Sequence, residues 1–107
     1  MKIDLLNKKG KIVFNEFSLN KNIPLQMQLD SLKEDMIQVE YPNGYILDIG
    51  WRPSFNINGH FYIYLIKDFN WEKPIYSNFT NDINTLEYQI NQAINKIKLI
   101  NLKHTPK

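Results

Sequence analysis

The residues with chemical potential in this 107-residue chain are few. Asp48 lies in the middle of Tyr-Ile-Leu-Asp-Ile-Gly-Trp-Arg-Pro-Ser-Phe, residues 45–55, a stretch that otherwise reads as a buried β-strand. Glu40 falls on the strand expected to face it. General acid–base chemistry needs two such carboxylates converging in a cleft with separated pKa values. Two acids on an exposed sheet face need no catalytic explanation. The histidines are His60 and His104, neither within an acid or histidine cluster of metal-ligand spacing. There is no cysteine, no Gly-x-Ser-x-Gly nucleophile and no glycine-rich phosphate loop; Gly10, Gly44, Gly50 and Gly59 stand singly. The expectation is a protein that is not an enzyme and holds no metal or cofactor.

Positioning Asp48 requires strands on either side of it. Ile37, Val39 and Tyr41 alternate, Pro42-Asn43-Gly44 supplies turn chemistry, and residues 45–51 alternate again, which predicts a hairpin of 36–41 with 45–51. Tyr45, Leu47, Ile49 and Trp51 then face the core. Ile46, Asp48, Gly50 and Arg52 face the other way. Gly50 leaves a gap on that second face for a neighbouring Tyr or Trp. A polar loop precedes a strand at 60–66, whose Phe61, Ile63 and Leu65 suit a helix-covered face, and Pro74 opens a further strand through Phe79.

Ahead of these, residues 3–14 read as a hairpin about Asn7–Gly10. Ser31 and Glu34 resemble a capping box, predicting a helical turn at 31–35; residues 25–29 fit strand or helix equally. Leu86, Ile90, Ala93, Ile94, Ile97 and Ile100 form one apolar stripe of a C-terminal helix, with Asn84 as its expected cap and Ile83 and Tyr88 as a staple. The fold class is α+β: one domain over residues 1–107, a largely antiparallel sheet of five to six strands with the helix on one face, and a frayed basic tail at about 101–107.

Charge is uneven along the chain. Residues 1–29 carry five lysines against two acids, residues 30–72 seven acids against three cations, and residues 73–107 five lysines against two acids. Eight aromatic residues fall between Tyr45 and Trp71. An acidic centre with aromatic anchors suits a basic partner. The rival reading is nucleic-acid binding through exposed aromatics and lysines, but Arg52 is the sole arginine. No signal peptide or membrane span is apparent, so a cytoplasmic location is expected.

Leu32-Lys33-Glu34-Asp35, Asp48-Ile49-Gly50-Trp51, and Lys67-Asp68 followed by Trp71-Glu72 and Pro74 resemble small immunity proteins of bacterial contact-dependent growth inhibition systems. The resemblance runs from about Leu32 to Ile97. It implies a non-enzymatic protein that binds the C-terminal domain of a cognate toxin, often a nuclease, one to one. The residues expected at that interface are Glu40, Asp48, Arg52, Asp68, Trp71 and Glu72. Asp35 is an alternative structural acid. Asp48 itself fits either the fold's polar face or a toxin-facing patch.

Overall fold

The computed structural model describes residues 4–98. Five strands, β1 (Lys11–Asn15), β2 (Ile37–Tyr41), β3 (Tyr45–Arg52), β4 (His60–Lys67) and β5 (Tyr76–Thr80), form one antiparallel sheet in chain order. The helix α1 (Ile83–Asn95) contacts β4 and β5. The α+β class with a C-terminal helix is as the sequence predicts.

Strand alternation sets the core. Ile37, Val39 and Tyr41, then Tyr45, Leu47, Ile49 and Trp51, then Phe61, Ile63 and Leu65 share the buried face. Leu86, Ile90, Ala93, Ile94 and Ile97 close over it from the helix side, while Leu5, Leu19, Leu32 and Met36 join from the connecting segments. Trp51 and Phe61 meet edge to face at 4.8 Å, and the Trp51 indole N–H donates to Asn56 O at 2.8 Å. A buried Trp thus keeps a partner for its one polar atom.

The helix cap lies two residues ahead of the expected one. Asp82, not Asn84, caps it: the Asp82 carboxylate accepts from Thr85 N at 2.8 Å and from Thr85 Oγ1 at 2.9 Å. A carboxylate there also faces the positive end of the helix dipole. Tyr88 is exposed, so the Ile83–Tyr88 staple does not form. At the other end the Lys8 ammonium donates to Ile94 O at 2.9 Å and, just past the helix, to Ile97 O at 2.7 Å, a cation placed at the negative end of the helix dipole.

Two N-terminal expectations are corrected. Residues 3–14 form no hairpin within the described residues. β1 pairs instead with β2, through Lys11 opposite Glu40 and Asn15 opposite Ile37, with an irregularity between Ile12 and Phe14. Leu5 turns into the core and accepts, at its carbonyl, the Tyr41 hydroxyl at 2.9 Å, which a strand partnered to β1 could not do. Burial, then the Asp4 charge, pushes that Tyr41 hydroxyl up to about 12. The helical turn falls at Leu29–Ser31, preceded by another at Leu25–Met27, rather than at 31–35. Ser31 bonds the Ser18 hydroxyl instead of capping. Ile3, Ile100 and the expected tail at 101–107 lie outside the described residues.

The segment after Ser31 sets the shape of the second sheet face. Trp51 N donates to Lys33 O at 2.7 Å and Met36 N to Ile49 O at 3.0 Å, so residues 33–36 run alongside β3. Between these two bonds the chain crosses Gly50. A Cβ on Gly50 would fall on the Glu34 carbonyl oxygen and lie 2.5 Å from the Tyr62 ring. The Tyr62 hydroxyl donates to that same carbonyl at 2.5 Å. Gly50→Ala must therefore displace backbone, not only a side chain. It is expected to lower stability by about 2 kcal/mol or more, read from urea unfolding of the two proteins.

Candidate functional site

On the second face, β2, β3 and β4 align Gln38, Asp48 and Tyr64 in one row, and Glu40, Ile46 and Ile66 in the next. Phe14 extends the first row from β1 and Lys11 the second. Residues 33–35 arrive beside them because Gly50 admits the crossing. The result is a groove of about 490 Å³ lined by Val13, Phe14, Asp35, Gln38, Glu40 and Asp48. Val13 and Phe14 supply an apolar wall. Three carboxylates supply the charge.

Asp48 is half-buried there, and its carboxyl is pushed up to about 6. Burial is the larger cause; the nearby Asp35 carboxylate adds to it, and Arg52 opposes both. Arg52 is four residues along β3, too far for a direct strand-wise pair. Its guanidinium lies over the Tyr62 ring, 4.1 Å from the centroid. Tyr62 in turn lies 5.2 Å from Tyr64, ring to ring. Burial, then the Asp48 charge, raises the Tyr62 hydroxyl well above its ordinary value. Tyr62 is the aromatic expected to fill the Gly50 gap.

The expected interface residues divide into two groups. Glu40, Asp48 and Arg52 share the second face, with Glu40 and Asp48 both lining the groove on a cross-strand diagonal. Asp68, Trp71 and Glu72 lie in the connection between β4 and β5, where Asp68 N donates to Gly44 O at 2.9 Å. Arg52 pairs with His60 at one end of the β3–β4 ladder and Tyr45 with Lys67 at the other, about 23 Å away at strand rise. Arg52 and the Asp68 group are thus at opposite ends of the sheet.

Sequence reading missed Val13, Phe14 and Asp35 as neighbours of Asp48. The signal for Asp35 was Gly50: a lone glycine in a buried strand marks a close backbone approach. Nothing in residues 11–15 distinguishes a strand bordering the groove from a hairpin arm.

Four of the lysines are engaged elsewhere. Lys8 caps α1, Lys21 lies 3.5 Å from Glu87, Lys33 3.1 Å from Glu16, and Lys67 4.0 Å from Asp68. Among the described residues no ion pair within 4.0 Å reaches Asp35, Glu40 or Asp48. Nor, among the described residues, do three or more His, Asp or Glu side chains gather as metal ligands. No helix of the described residues is long and apolar enough to cross a membrane.

The Asp48 shift has a stability consequence. Its folded-state pKa, about 6, lies above the ordinary 3.8, so the folded state binds the proton more tightly. That contribution is complete below pH 3.8 and is lost as pH rises through 6. Asp48→Asn is expected to stabilise the protein at pH 7.5 by about 1 kcal/mol, a figure reduced for solvent screening. The gain should vanish by about pH 4, as measured by thermal unfolding at both pH values.

Compared with family models, with curated proteins and with solved structures, the chain matches none.

Proposed function

We propose that this protein is an immunity protein: it binds a cognate bacterial toxin domain one to one and blocks its active site or substrate path, without catalysing a reaction. The observation that carries the reading is the groove beside Asp48. Three carboxylates line it together, against an apolar wall, and among the described residues none of them has an ion pair within 4.0 Å, although Lys11 stands across the ladder from Glu40. This costs the isolated chain stability, since Asp48 ionises against both burial and Asp35. A basic partner reverses that cost. A nuclease is basic where it meets nucleic acid, so an acidic patch both steers it and covers the surface its substrate needs.

The same arrangement disfavours nucleic acid as the partner, because phosphates would meet carboxylates on this face. Lys8, Lys21 and Lys33 are engaged within the fold.

The test is co-expression with the toxin C-terminal domain encoded beside this protein. Wild type is expected to restore growth. Asp35→Lys with Glu40→Lys, both exposed positions, should weaken the purified complex at least tenfold and abolish protection. Affinity for wild type should also rise with pH up to about 6 and level off above it, because the bound form holds Asp48 ionised. Full protection by the double variant sinks this face as the interface.

A further inference from the structure

The sheet ends in two open edges, β1 and β5. They differ in what they show. β5 exposes Ser77 and Phe79, half-buries Asn78 and Thr80, and is contacted by α1. All five residues of β1 are exposed, and three consecutive ones are apolar: Ile12 at 38%, Val13 at 41% and Phe14 at 36%. An apolar edge of this kind is a template for another strand.

The irregularity in β1 decides which strand fits. Ile12 stands opposite Val39 and Asn15 opposite Ile37, so both lie on the core side of the sheet. Lys11 stands opposite Glu40 and Phe14 opposite Gln38, on the second face. Val13 is the extra residue between them and lines the groove with Phe14, so it shares that face. Glu16 joins it by alternation, and its N–H donates inward to Met36 O at 2.7 Å. In a ladder the side-chain face and the direction of the backbone groups alternate together. Residues of the second face therefore bond toward β2, while Ile12 and Asn15 aim N–H and C=O away from the sheet.

These constraints are met by β1 itself, turned end for end. With Ile12 of one copy opposite Asn15 of another, the outward backbone groups of both strands find partners. The same register sets Val13 opposite Phe14 and Lys11 opposite Glu16. Each pair lies on the second face and occurs twice about a two-fold axis. Four apolar side chains meet at the axis, with an ammonium and a carboxylate facing each other at either end. A lysine and a bulge normally guard an edge against pairing. Here the bulge brings Val13 and Phe14 onto one side, and the lysine falls opposite an acid, so neither opposes a second copy.

We propose that β1 is a dimerisation edge: it pairs antiparallel with β1 of a second copy of this chain, joining two five-stranded sheets into one continuous sheet. Glu40 and Asp48 lie inward of the edge, on β2 and β3, and Asp35 on the segment before β2, so each copy keeps its own carboxylates. The inference goes beyond toxin binding and does not rest on it.

The experiment is sedimentation of the full-length chain alone from about 1 to 500 µM. The mass of wild type should rise with concentration from 12.8 kDa toward twice that value. Val13→Lys, at an exposed position, sets two cations at the axis and should weaken the dimer at least about 30-fold. Lys11→Glu alone and Glu16→Lys alone each set like charges opposite one another and should weaken it about tenfold. The two together should return it to within about threefold of wild type. Inside one chain the double exchange puts like charges against Glu40 and Lys33, so recovery can come only from pairing between copies. Thermal unfolding of each variant confirms that it is folded. Wild type that stays monomeric at every concentration overturns the proposal. So does a Val13→Lys dimer as tight as wild type, or a double exchange no tighter than the single ones. No toxin is present in any of these measurements, so their failure leaves the proposed function standing.

Discussion

The second face of the sheet depends on one close approach, the passage of residues 33–36 across Gly50. Because Gly50 has no side chain, the Glu34 carbonyl comes down onto β3 and accepts the Tyr62 hydroxyl. The crossing ties the segment before β2 to two strands that follow it. It brings Asp35 beside Asp48 and delivers Leu32 and Met36 into the core on the opposite side. A single methyl group at residue 50 would set all of these in conflict.

What results is a sheet with two unlike faces. One is sealed by aliphatic side chains, α1 and the connecting segments. The other buries Ile46, Tyr62 and Ile66, yet carries Glu40 exposed and Asp48 half-buried. Lys11 stands across the ladder from Glu40, but no cation comes within 4.0 Å of Asp35 or Asp48 among the described residues. Here the nearest guanidinium is engaged with a tyrosine ring instead. The placement of Asp48 beside Asp35, half-buried, therefore lowers the stability of the free chain at neutral pH.

Sequence alternation identified which side chains of β2, β3 and β4 face the core, because a period of two in a half-buried strand leaves little freedom. The helix stripe from Leu86 to Ile97 was legible for the same reason at a period of 3.6. Local signals with several solutions fared worse. Asn84 and Asp82 both suit an N-cap, and the carboxylate whose position lets it reach Thr85 took the role. Asn7 to Gly10 has hairpin chemistry, but the turn serves to place Lys8, and β1 finds its partner across a long connection. Glu40 and Asp48 were readable as neighbours from their strands. Asp35 was not, since its position follows from a crossing that periodicity does not encode.

The Lys8 clasp on α1 joins residues 86 and 89 positions apart in the chain. Strands β2 to β4, by contrast, pair with sequence neighbours through short connections. Loop-closure entropy makes such local pairings the early events of folding and places the closure of the whole chain after them. An interaction formed after the rate-limiting step does little for the speed of folding and acts on the rate of unfolding. The ammonium of Lys8, set on carbonyls where α1 ends, is in this sense expected to act as a latch in time, slowing unfolding more than it speeds folding.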